Sequence, residues 1–152
     1  MLKYLAVFFV AMLPIVEIRG AMPVGAFFGL PYFESLIVAI IGNMVPVPFI
    51  YLFGRKFLTW GSKQKYIGSF CEKMMRKGEA AGRMIVKKTG RFGMAVALML
   101  FVGIPLPGTG AWTGALAASF LDMGFKTTTV AVIAGVAIAG TLIGGPLHIL
   151  GL

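Results

Sequence analysis

Five apolar blocks without a charge divide this chain, at 4–16, 20–33, 35–54, 92–121 and 127–152. A helix needs about 20 residues to cross the hydrocarbon core of a bilayer. The third and fifth blocks reach that length. The first two are too short alone, and the fourth is cut midway by GIPLPGTGAWTG, residues 103–114. Lipid offers no partner to an unpaired backbone group, so a broken helix cannot simply end inside it. Paired half-length segments that enter and leave by the same face satisfy both limits. The blocks therefore predict an all-α integral membrane protein with two re-entrant helical hairpins, each followed by a full transmembrane helix.

Composition supports the same class. At 152 residues, 59% hydrophobic and a mean hydropathy of +0.92, the chain has more apolar surface than a soluble interior of this size can hold. The net charge of +9 is concentrated. Eleven of the fourteen basic residues fall between Arg55 and Arg91, and only Lys3, Arg19 and Lys126 lie elsewhere. A basic segment between hydrophobic blocks is the mark of a cytoplasmic loop and favours anionic lipid headgroups over nucleic acid. Within it Ile67, Phe70, Cys71, Met74, Ala81 and Ile85 recur at helical spacing, which predicts an amphipathic surface helix broken by glycines.

The order is then hairpin, span, basic loop, hairpin, span, as a single transmembrane domain over 1–152. Residues 1–54 form a first repeat, 55–91 the cytoplasmic segment and 92–152 a second repeat. Parity makes the repeats opposed. With 55–91 inside, the first hairpin enters from outside and the second from the cytoplasm, the inverted plan of many transporters. Aligning Gly20-Ala21 with Gly110-Ala111 sets Arg19 on Thr109. Residues 1–16 imitate a signal peptide, but a cut after Ala21 would place Arg19 where a small residue belongs, so retention in a plasma or inner membrane is expected.

Charge inside the apolar part marks the candidate site. Glu17 and Arg19 lie between the first two blocks, in a predicted tip Glu17-Ile18-Arg19, and intramembrane charges usually mark pathways or relays. Arg19 suits a phosphate or carboxylate, and Glu17 suits a proton. In the second tip, 104–109, Pro105 and Pro107 free carbonyls, while Gly108 and Gly110 permit positive φ. The helix starting near Ala111 would aim its positive end at the bilayer centre, an anion site with Thr109 and Thr113 as hydroxyl ligands and Trp112 as a shield. Asn43 is expected against a hairpin tip, since a buried amide needs partners. Gly25/Gly29 and Gly140/Gly144 have small-residue packing spacing. Gly144-Gly145-Pro146 is expected to end or kink the last span, and Glu34, Asp122 and His148 to sit at membrane interfaces.

One cysteine, Cys71, excludes an internal disulfide, and nothing in the chain predicts a metal, a cofactor or an enzyme's catalytic set. GTGAWTG misses the dinucleotide spacing by one residue and lacks the lysine of a P-loop. No nucleotide motif powers a pump, so transport would be passive or ion-coupled.

The stretches PIVEIRGAMPVGA (14–26), GNMVPVPF (42–49) and IPLPGTGAWTGA (104–115) closely resemble the small multidrug export protein family, over nearly the whole chain. The layout is also similar, more remotely, to the DedA membrane proteins. Those have opposed re-entrant hairpins, an acidic/basic site in the first, and a link to translocation of polyprenyl-phosphate carriers. That resemblance implies a lipid flippase role, with Glu17 and Arg19 in the site and Thr109 standing where DedA proteins carry an arginine. The leading expectation is a transporter of an amphiphilic, anionic, lipid-like substrate, with Glu17 coupling protons, Arg19 binding the headgroup and the 108–110 amides completing the cage. The alternatives are a drug or cation exporter, with Glu17 binding the cation, and a non-transporting scaffold acting through the basic loop. So little buried surface in one chain points to a homodimer.

Overall fold

The computed structural model describes residues 1–64, 68, 69, 71–73, 75, 76, 91–106 and 108–149. The elements among them are helical: α1 (Leu2–Met12), α2 (Glu17–Phe27), α3 (Tyr32–Met44), α4 (Pro46–Phe49), a π-helical turn (Ile50–Gly54), α5 (Arg55–Gly61), α6 (Arg91–Gly103), α7 (Ala111–Phe120) and α8 (Phe125–Ile149). Two continuous helices are long and apolar enough to cross a membrane, Tyr32–Gly61 and Phe125–Ile149. The first runs through α3, α4, the π-helical turn and α5, so it is longer at both ends than the 35–54 block.

Local chemistry explains the shape of that helix. Pro46 and Pro48 lack the N–H groups that would bond back to Gly42 and Met44. The Val45 amide bonds to the Gly42 carbonyl instead, at 3.3 Å, a tighter turn. The wide turn at 50–54 follows, and the axis continues without a break. Pro146 is likewise absorbed inside α8, so the expected end of that helix at 144–146 does not occur.

Helices α1 and α2 form a hairpin that packs on α3, and α8 touches α2, α3, α6 and α7. Glycines set these approaches. A Cβ at Gly42 would strike the Phe8 backbone, so α1 lies directly on α3. Gly140 faces Ile18 and Leu36, while Gly144 faces Met22 and Tyr32; α3 and α8 therefore run antiparallel, with α2 wedged between them. Gly135 and Gly103 let α6 and α8 meet backbone to side chain, with Gly103 against Ile138. Gly29 behaves otherwise. Its φ of +66 closes α2, and no neighbour approaches its Cβ position, so it makes no packing contact.

One core joins the parts, with Val7, Ile18, Leu98, Val102, Val132 and Val136 fully buried in it. Lys3 donates to the Phe28 carbonyl at 2.8 Å, and the Tyr4 hydroxyl bonds the Glu34 carboxylate, which fastens one end of the molecule. There Tyr32 stacks on His148, with ring centres 5.7 Å apart. At the opposite end of the spans Arg55 lies 3.8 Å from Asp122 and over the Phe120 ring. Nearby, Cys71 is buried against Leu58 and Leu116. Ile67, Phe70, Met74, Ala81 and Ile85 of the expected amphipathic stretch lie outside the described residues.

Candidate functional site

Leu13 to Val16 form the turn between α1 and α2. Pro14 cannot donate to the preceding helical turn, and the chain reverses there. Glu17 follows with a φ of +48, a left-handed conformation uncommon for a side-chain-bearing residue, and opens α2. The expected tip at 17–19 is thus displaced towards the N-terminus. Glu17 and Arg19 occupy the first turn of a helix instead of a loop. The second tip falls where its prolines and glycines predict, between the end of α6 at Gly103 and the start of α7 at Ala111.

The two tips meet. Glu17 is 5% exposed, and its carboxylate accepts from the backbone N–H of Ala111 at 3.3 Å and of Trp112 at 3.1 Å. These are the first two amides of α7, groups that no helix satisfies within itself. Two helix N-termini, of α2 and α7, thus converge on one carboxylate, the sign each favours. Gly110 makes the approach possible. Its φ is +136, and a Cβ there would overlap the Glu17 carboxylate.

Arg19 engages the other side of the same tip. Its Nη1 donates to the Leu106 carbonyl at 2.5 Å, and its Nη2 to the Thr109 carbonyl at 3.0 Å and Thr109 Oγ1 at 2.6 Å. Thr109 Oγ1 in turn lies 2.8 Å from the carbonyls of both Ile104 and Leu106 and can donate to either. These carbonyls belong to the loop between α6 and α7, so the cation is met by backbone acceptors outside the helices. Hydrogen bonds to charged groups contribute about 1.5–3 kcal/mol each. A clasp of five such bonds holds the hairpins together.

The geometry departs from the sequence reading at several of these residues. At the α7 N-terminus, where an anion is expected, stands the chain's own Glu17, held by the amides of Ala111 and Trp112 and not by those of 108–110. Thr109 is likewise committed to Arg19. Thr113 is half-buried, and its hydroxyl makes no hydrogen bond among the described residues. Asn43 is fully buried, and neither atom of its amide has a partner among the described residues, so the expected bond to a tip is not formed. Ser35 Oγ and Trp112 Nε1 are also buried and unpaired. Gly108, with φ +86, is exposed, and Pro107 lies outside the described residues. Sequence reasoning missed Leu106 as an acceptor. Pro105 beside it was the signal that this turn's carbonyls are free of helical partners.

Among the described residues no group of His, Cys, Asp and Glu is placed to hold a metal ion. No curated protein and no solved structure matches this chain. A family does. Residues 17–142, from the clasp glutamate to the middle of α8, match the family described as "Putative small multi-drug export protein". That match covers most of the chain, includes Glu17, Arg19 and the second tip, and joins helices of membrane-spanning length and apolarity. The chain belongs to the small multidrug export protein family and is a membrane protein.

Proposed function

We propose that this protein is a small transporter, and that the clasp between its two hairpins is the element a substrate opens. The observation that carries the reading is the Glu17 carboxylate on the amides of Ala111 and Trp112. Depth is consistent with it. Gly140, beside Ile18, is roughly 22 Å along α8 from Phe125 and roughly 14 Å from Ile149, at about 1.5 Å per residue. Both tips then lie inside the hydrocarbon, in hairpins entering from opposite faces of a plasma or inner membrane, with residues 55–91 cytoplasmic. An inverted repeat agrees with this, because Arg19 and Thr109, equivalent in the alignment of the halves, touch each other.

The substrate favoured is an amphiphile with an anionic head, such as a polyprenyl phosphate. A phosphate oxygen has the charge and acceptor geometry of the Glu17 carboxylate. It can replace that carboxylate on the α7 N-terminus while Arg19 turns from the tip carbonyls to a second oxygen. Glu17, displaced and no longer held by two amides, takes up a proton rather than remain charged in a low-dielectric interior. Release on the other side restores the clasp. Substrate and carboxylate thereby exchange for one another at one pair of amides, and the proton is bound and released together with the substrate. Resemblance to DedA proteins supports the same lipid class. The family's description favours a second reading, export of small and often cationic molecules. There the released carboxylate pairs with the cation itself.

Reconstitution in liposomes separates the two. Wild type should move a fluorescent polyprenyl phosphate faster than empty liposomes do, and Glu17→Gln and Arg19→Ala should each remove most of that rate. Movement of a cationic dye alone, lost in Glu17→Gln and kept in Arg19→Ala, would favour the second reading. If neither probe moves in any sample, transport of these classes is refuted and a scaffold role through the basic segment takes its place.

A further inference from the structure

Helix α5 has two unlike faces. Leu58 and Gly61 are buried, and Leu58 packs on Cys71 and Leu116, which fixes the face turned inward. On the outer face Arg55, Lys56, Thr59, Trp60 and Lys63 line an open groove of about 540 Å³. Helical spacing gathers them, since residues three and four apart are neighbours on a helix surface. Lys63 keeps that spacing beyond the end of α5, because its N–H donates to the Trp60 carbonyl at 3.2 Å.

Charge and depth together select an occupant. Three cations line the groove, and among the described residues no acid does. Arg55 has one carboxylate nearby, Asp122 at 3.8 Å, with both side chains more than half exposed; Lys56 and Lys63 form no ion pair among the described residues. The Thr59 hydroxyl is committed to the Arg55 carbonyl at 2.8 Å, so the cations are the donors a ligand would meet. Arg55 is also the first charge after the uncharged block 35–54. The groove therefore stands where hydrocarbon gives way to headgroups, the level at which tryptophan is enriched. Towards the hydrocarbon the same continuous helix leaves Phe49, Leu52 and Phe53 exposed, and Phe57 and Trp60, with ring centres 6.2 Å apart, flank the cations. A soluble anion would neutralise the cations and leave these apolar side chains uncovered. A lipid meets both, with its phosphate among the cations and a chain along the apolar surface.

We infer that this groove is a headgroup site for an anionic phospholipid of the adjoining leaflet, held by Arg55, Lys56 and Lys63, with an acyl chain on Phe53, Leu52 and Phe49. The site is separate from the clasp and does not depend on what the protein transports. It differs from a general attraction of basic residues to the membrane, because it assigns the lipid to one groove and to particular cations.

Native mass spectrometry of the full-length protein in detergent, titrated with phosphatidylglycerol or phosphatidylcholine, tests it. Wild type should retain one phosphatidylglycerol well above its retention of phosphatidylcholine. Lys56→Gln combined with Lys63→Gln should weaken that binding about 25-fold, at about fivefold per lysine. Lys73→Gln combined with Lys126→Gln removes the same charge from exposed positions outside the groove and should leave binding unchanged. Equal losses in the two pairs, or no preference for the anionic lipid, overturn the inference, because diffuse charge then accounts for whatever is retained. Inorganic phosphate at the lipid's concentration should not displace it; displacement would make the groove a site for free anions and refute the lipid. Should the Lys56/Lys63 variant unfold, wild type in bilayers with a diazirine-bearing phosphatidylglycerol reads the same site. Its adducts must exceed those of the matching phosphatidylcholine probe at residues 49–60, and equal labelling by the two probes there is equally fatal.

Discussion

The two tips solve one problem in opposite ways. The first is a short turn whose neighbouring helical turn carries a full negative and a full positive charge, Glu17 and Arg19. The second is longer, has no charged residue among its described positions, and carries only backbone dipoles and one hydroxyl. Each supplies what the other lacks. The amides at the start of α7 meet the carboxylate, and the carbonyls after α6 meet the guanidinium. Pairing Glu17 directly with Arg19 would have left the broken helix with unsatisfied groups at both of its ends. Matching the carboxylate to the first amides of α7 and the guanidinium to carbonyls of the loop satisfies the charges and the break together.

The sharpest way to break the complementarity is through its narrowest point. Gly110→Ala forces a side chain into a φ of +136 and into the space of the Glu17 carboxylate. Backbone strain and a displaced buried charge together should cost about 4 kcal/mol. A large fall in the denaturation midpoint of the detergent-solubilised protein would register it, and an unchanged midpoint would show that Glu17 is not held there. Arg19→Ala comes next. It removes the charged donor from the Leu106 carbonyl, which keeps the Thr109 amide, leaves the Thr109 carbonyl without a partner among the described residues, and should cost about 2–3 kcal/mol. Arg19→Lys should recover only part of that loss, because a single ammonium cannot reach both acceptors as the fork does.

How much of this was legible beforehand follows from what each residue type encodes. Helix breaks are local, so 104–109 and the two full spans could be read from proline, glycine and block length. The importance of Glu17 and Arg19 could be read as well, because charge is costly in apolar sequence wherever it lies. Their partners could not. The bonds join residues 87 to 95 positions apart, and four of the five partners are backbone atoms, which every residue possesses. The left-handed conformation of Glu17 was hidden for the same reason: no residue type announces it. Asn43 shows the converse limit. Its amide could be read as needing a partner, yet among the described residues it has none, and the general rule gave no way to see that.

A smaller perturbation tests whether the hydroxyl matters beyond the carbonyls. Thr109→Val keeps the shape of the side chain and its backbone carbonyl but removes the 2.6 Å bond from Arg19. The expected loss is about 1 kcal/mol. In a double-mutant cycle with Arg19→Ala, the coupling should be of similar size, because Arg19 is the charged partner the hydroxyl serves. Additive effects would mean that Thr109 acts through Ile104 and Leu106 alone, ordering the loop without contributing to the clasp.

The gentlest test sets Gly108 against Gly110. Both have positive φ, +86 and +136, and they are two residues apart in the same tip. They differ in surroundings, since nothing lies within 4 Å of a Cβ added at Gly108. Gly108→Ala therefore carries backbone strain without displacement of a charge, and should cost about 1 kcal/mol. The denaturation midpoints of the two variants, measured side by side, separate conformational strain from the clasp itself. If Gly108→Ala proved as damaging as Gly110→Ala, the strain of the tip alone would explain both. The Glu17 contact would then lose its place as the element that distinguishes them.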